Sequence, residues 1–121
     1  MEKSQRILQS FASMIHKFKN CLGITLWRWN NFQIELWFCP PKTYIPSHKH
    51  SCIDSEIFPL KGHAIFTRET ETVFSELIKF FTINHNQSHS FGVFDKWFIF
   101  LNFEKWTSKP TSASVDFQPS N

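Results

Sequence analysis

A chain of 121 residues makes one ordinary domain, able to bury roughly two thirds of the surface its unfolded form exposes and too short for a second core. With 41% apolar and 19% charged residues it is neither disordered nor collagen-like, and its densest apolar run, Trp97 to Phe103, stops at Glu104, well short of the roughly 20 residues of a membrane span. The 13 Lys and Arg against 10 Asp and Glu leave a net charge of +3, too small and too dispersed to mark a nucleic-acid surface, so nucleic acid and membrane are both poor partners.

At the N-terminus, Ile7, Leu8, Phe11, Met14, Ile15, Phe18 and Leu22 recur at spacings of three and four, which predicts an amphipathic helix with Ser4 as its cap and Gly23 as its end. Lys3, Arg6, Lys17 and Lys19 fall on or near the other face and read as a solvated surface. The stretch lacks the continuous apolar core of a secretory signal. Cys21, Cys39 and Cys52 have none of the short paired spacings of zinc or redox motifs and read as small, partly buried thiols, so a reducing cytoplasm is expected.

After Gly23 the pattern changes to short runs rich in Trp, Phe, Ile and Thr, broken by Pro, Asn, Ser and charges. These predict strands near Ile24–Trp29, Phe32–Phe38, Thr43–Ile45, Glu56–Leu60, His63–Arg68, Leu77–Ile83, Ser88–Val93 and Trp97–Phe103. Turns are expected at Asn30-Asn31, Pro40-Pro41 and Glu69–Thr72, with Gly62 at a corner. Such short strands imply a sandwich or small barrel. The expected organisation is one domain over residues 1 to 121: a helix over 1 to 23, a β-barrel over 24 to 106, and an extended or mobile tail over 107 to 121.

The chemistry-bearing residues lie in two clusters. His48 and His50 are one residue apart, and on an extended chain such a pair points to one side and can reach one ion. Asp54 and Glu56 follow, each able to add a carboxylate. Some 40 residues on, His85 and His89 flank Asn86, Gln87 and Ser88. Two or three histidines plus a carboxylate suit Fe, Mn, Ni, Zn or Co as divalent ions.

The string Tyr44-Ile45-Pro46-Ser47-His48-Lys49-His50, continued by Asp54-Ser55-Glu56-Ile57-Phe58-Pro59-Leu60-Lys61-Gly62, resembles the first conserved motif of the cupin superfamily. Ile83-Asn84-His85-Asn86-Gln87-Ser88-His89-Ser90-Phe91 is similar to the second, with asparagine in place of the usual Pro-x-Gly turn. The last run, Trp97 to Asn102, resembles the final barrel strand of small single-domain cupins, including phage-encoded ones of unassigned function. The resemblance implies a mainly β, cupin-type double-stranded β-helix (jelly-roll) barrel, often a homodimer. It implies a divalent metal held by His48, His50, His89 and an acid. Glu56 is the preferred acid for its longer reach. Asp54, the alternative, better fits the count from His50, whereas the count back from Gly62 lands on Ser55.

On this reading the protein acts on, or binds, a small molecule in the barrel cavity. His85, His63 and Tyr44 are candidate general acids or bases. The alternative is a non-catalytic module that sequesters a small ligand or meets a protein partner. Arg28, Lys49, His63, Arg68 or Lys79 at the mouth would favour a planar or anionic ligand such as a sugar phosphate or nucleotide. Trp27, Trp29 and Trp37 alternate and are expected in the core, in the ligand cavity or on a dimer face.

Overall fold

The computed structural model describes residues 15 to 107 and 118 to 119, and every regular element among them is a strand. Among these residues no helix is long and apolar enough to cross a membrane. The apolar spacing predicts a helix through Leu22, but the chain instead forms a hairpin. Strand β1 (Ile15–Phe18) pairs antiparallel with β2 (Cys21–Trp29) across a turn at Lys19 and Asn20, with Lys19 at φ 56°. Cys21, Gly23 and Thr25 alternate inward. Pairing of β2 with the next strand outweighs the local period of 3.6. The earlier part of the expected helix lies outside the described residues.

Strand β3 (Phe32–Cys39) returns antiparallel to β2 across Asn30 and Asn31, and Asn30 takes the positive φ of 57° that asparagine tolerates. Then follow β4 (Tyr44–Lys49), β5 (Ile53–Lys61), β6 (Ala64–Arg68), β7 (Glu71–Phe74), β8 (Phe81–Ile83), β9 (His89–Val93), β10 (Phe98–Trp106) and β11 (Gln118–Pro119). One sheet has the order β1-β2-β3-β10-β5-β8 and the other β11-β4-β9-β6-β7. From β4 to β5, and again from β7 through β10, each connection crosses from one sheet to the other, which is jelly-roll winding. Of the expected tail, residues 118 and 119 pair with β4 at Lys49 and His48. The rest lies outside the described residues.

Two segments differ from the sequence expectation. Glu71–Phe74 is a strand where the polar run Glu69–Thr72 predicts only a turn. Of Leu77–Ile83 only the last three residues are a strand, because Leu77, Ile78 and Phe80 are exposed and Ile78 has φ 60°. The core between the sheets is built on Cys39, Ala64, Phe66 and Phe98, all fully buried. Gly62 does turn a corner: at φ 80°, a Cβ there would overlap the Trp97 carbonyl oxygen. Gly23 serves packing instead of a helix end, since a Cβ on it would lie 2.5 to 2.7 Å from the Trp37 indole.

Candidate metal centre

The pairing of β4 with β9 shifts register between Ile45 and His48, so both residues face inward although three positions apart. His48 then lies opposite His89 of β9. His50, just past β4, turns to the same side, and its carbonyl accepts a hydrogen bond from the Asn86 backbone N–H at 2.7 Å. That bond ties the loop of the second motif to the first. All three rings are buried, and one ring nitrogen from each lies within 4.8 Å of the others. Ring centroids are 4.1 Å apart for His48 and His89, 5.0 Å for His48 and His50, and 5.2 Å for His50 and His89.

Two of these imidazoles are prepared as ligands by their neighbours. His48 Nδ1 lies 2.8 Å from the Pro46 carbonyl oxygen, and His89 Nδ1 lies 2.9 Å from that of Gln87. A carbonyl only accepts, so each Nδ1 carries the proton and donates it, which makes Nε2 the lone-pair nitrogen of the ring. Burial, followed by the neighbouring His89 and His50 rings, pushes His48 down to about 3 despite the opposing carbonyl bond. Burial lowers His89 to about 4, again against its carbonyl bond and with help from His50. Both rings are therefore neutral at pH 7, the state a metal requires. Fixing of the ring by a backbone carbonyl is the arrangement that usually orients metal-binding histidines.

The histidines line a cavity of about 80 Å³, room for several waters. Its other walls are largely apolar, with Trp37, Ile45, Phe91 and Phe100 among them, and its polar additions are Ser55 and Asn102. Asn102 is 8% exposed, and its Oδ1 has no hydrogen-bond partner.

The structure does not bring the expected carboxylates to this group. Strand β5 alternates so that Ser55 faces in while Asp54 is half-buried and Glu56 exposed on the outer side. Asp54 accepts hydrogen bonds from the His85 backbone N–H and ring Nδ1, both at 2.7 Å. Partial burial opposes ionisation of Asp54, but these bonds and the charges of His85 and Lys105 hold it below the usual carboxylate range. His85 is thus engaged outside the cavity. Tyr44 is exposed, and His63 is exposed beside Phe74 and Phe94 at a different surface.

None of Arg28, Lys49, Arg68 and Lys79 lines the cavity. Arg28 donates to Gln33 and lies over Trp106, Arg68 pairs with Glu71 and covers Phe81, and Lys79 pairs with Glu76. Of the three alternating tryptophans, Trp37 is a cavity wall while Trp27 and Trp29 are exposed. Sequence reasoning missed Asn102, Cys21 and Cys39 as cavity residues. Ser55 was signalled by the count back from Gly62.

No family model matches the sequence, and no curated protein does. Solved structures match the fold. KdgF from Halomonas sp. superposes with a TM-score of 0.70 at 9% identity, over 78% of this chain and 86% of that one. A cupin superfamily protein (DSY2733) from Desulfitobacterium hafniense gives 0.62 at 18% identity, over 78% and 85%. The cupin domain of Schizosaccharomyces pombe Cnp3 gives 0.68 at 12% identity, over 75% of this chain and 64% of that one. At such identities the likeness shows the fold alone, a cupin-type double-stranded β-helix.

Proposed function

We propose that the protein binds a divalent metal ion through His48, His50 and His89, and that the bound metal holds a small anionic ligand or substrate in the cavity. The observation that carries this reading is the convergence of three buried ring nitrogens within 4.8 Å, two of the rings being fixed as the Nδ1–H tautomer by backbone carbonyls. Three neutral donors leave the full double charge of the ion uncompensated, so an anion is the natural further ligand. Fe, Mn, Ni, Zn and Co all accept imidazole donors. When bound, such an ion supplies Lewis-acid polarisation of a ligand oxygen. Ser55 and Asn102 are the polar groups that orient the ligand, and the apolar walls exclude water around it. The small volume admits a reacting group, with the remainder of a larger ligand outside.

The second reading is a binding module without catalysis. It is favoured by a specific feature: among the described residues the cavity contains no carboxylate and no histidine beyond the three, so the buried Cys21 and Cys39 thiols are the other titratable side chains in its wall. Within the solved neighbours, DMSP lyases (TM-score 0.71, 12% identity, 88% of this chain and 60% of that one) share the fold, as do proteins with no activity in their names. The fold therefore does not decide between the readings.

Elemental analysis and calorimetry of untagged protein test the metal. One ion per chain is expected, with loss of uptake in the His48→Ala, His50→Ala double variant. Full stoichiometric binding by that variant would remove the proposal. Turnover against a panel of small carboxylates and enolisable acids then separates enzyme from binding module.

A further inference from the structure

Two cysteines on the cavity wall have no part in the metal reading. Cys21 opens β2 and Cys39 closes β3; both are buried, at 3% and 0% exposure, and both line the cavity. The register of β2 with β3 begins at Leu22 opposite Phe38, which sets Cys21 opposite Cys39 one step beyond. Phe18 and Cys21 flank the two-residue turn of the preceding hairpin, the position at which both backbone hydrogen bonds are exchanged. Since Cys21 turns its N–H and C=O toward β1, it meets β3 at a non-hydrogen-bonded site. At such sites Cα atoms stand about 4.5 Å apart, inside the 4.4 to 6.8 Å range that a disulfide spans. Both side chains turn to the same cavity wall, and each perturbs the ionisation of the other.

We propose that Cys21 and Cys39 are an oxidative modification site, forming a reversible cross-strand disulfide in the cavity wall when a small hydroperoxide enters. One cysteine sulfur attacks a peroxide oxygen, the O–O bond breaks, and water leaves with the thiol proton accounted for, giving a sulfenic acid. The second sulfur attacks that sulfenic sulfur, the S–O bond breaks, and a second water leaves with the other proton. Two electrons pass from the pair to one hydrogen peroxide: two thiols and H2O2 become one disulfide and two waters. The neighbouring thiol lowers Cys21, and Cys21 together with burial raises Cys39, so the two behave as one coupled pair that shares its proton. Whichever sulfur is oxidised first, the other stands directly across the strand pair to resolve it. The disulfide closes the segment from Cys21 to Cys39 and withdraws two S–H groups from the cavity that the histidines share.

The test uses the full chain freed of metal by a chelator, so that its outcome is independent of the metal proposal. Protein is exposed to one equivalent of hydrogen peroxide, denatured, alkylated without reduction, and digested. The expected result is a mass loss of about 2 Da, a peptide pair linked through Cys21 and Cys39, and Cys52 alkylated; dithiothreitol reverses the link. The oxidised form should unfold roughly 5 °C or more higher. The Cys52→Ser variant should form the same link, and Cys39→Ser should form none; the first keeps the test sound if the second fails to fold. Alkylation of both Cys21 and Cys39 after peroxide, a link through Cys52, or a lowered unfolding temperature would each overturn the site.

Discussion

His48 and His89 are buried with their charged forms disfavoured, and this has a thermodynamic consequence of definite sign. In the unfolded chain both take up a proton near pH 6.5, whereas in the folded chain they do so only near 3 and 4. Between those values the unfolded state binds more protons, so the metal-free protein loses stability as pH falls from 6.5 toward 4, by up to roughly 1.4 kcal/mol per pH unit for each histidine. Above 6.5 that contribution is complete. Asp54 acts in a separate, lower window, below its usual 3.8, because its ionised form is the favoured one. Denaturant midpoints of chelated protein should therefore drop between pH 7 and pH 4.5, and His48→Gln with His89→Gln should flatten the drop. An unchanged slope in that double variant would place the titration elsewhere. At the same scale, Glu56 points away from the cavity, so Glu56→Gln should leave metal affinity within about twofold, as for surface substitutions in general. Ser55→Asp should tighten it by adding a charge to the cavity wall. The three histidines were legible as types and spacing, but that neither Asp54 nor Glu56 joins them was not. The irregular stretch between His50 and Ile53 resets which face β5 presents, and only the residue count to Gly62 pointed at Ser55.

Elements place these side chains through pairing that local sequence states unevenly. The hairpin of β2 and β3 was readable because Asn30 and Asn31 supply the turn and Phe32 to Cys39 alternate strictly, every second residue being buried. The hairpin of β1 and β2 was hidden. Its apolar residues fit a helical spacing as well as a strand, and the deciding interaction is with β3, which no local window contains. The bulge in β4 was equally hidden, yet it keeps Ile45 and His48 on one face. Gly23 offers a test of how tightly β2 backs the cavity. A methyl group there would meet the Trp37 ring, one of the cavity walls, so Gly23→Ala must displace the indole into the cavity or part the strands. The expected cost is about 1 to 3 kcal/mol, read as a lower unfolding midpoint, together with weaker ligand binding. A variant within about 0.5 kcal/mol of the parent would mean that the indole moves freely, and that Trp37 does not define the cavity.

For the whole molecule, the aromatic residues divide between two sides of one sheet. Trp37, Phe98 and Phe100 face the interior. Outside, a continuous series runs across the same sheet: Trp29 to Trp27 at 6.4 Å, Trp27 to Phe32 at 5.8 Å, Phe32 to Phe103 at 6.4 Å, Phe103 to Phe80 at 5.7 Å, and Phe80 to Phe58 at 4.8 Å. Trp29 is 67% exposed and Phe80 53%, with Leu26 and Trp27 beside them about half exposed. A face of this kind is unusual on a monomer. We propose that a second copy of the chain covers it through a two-fold axis, which lets one patch serve as both surfaces of the contact. Trp27 and Trp29 would anchor it, as large aromatics near the middle of an interface usually do. Sedimentation at micromolar concentration should give twice the 14.4 kDa chain mass, and Trp27→Glu with Trp29→Glu should return it to the single chain while leaving metal uptake intact, because both side chains lie on the far side of the sheet from the histidines. A parent protein that sediments as one chain would leave these tryptophans without a symmetric partner and direct the search to a different protein or a planar ligand for the same face.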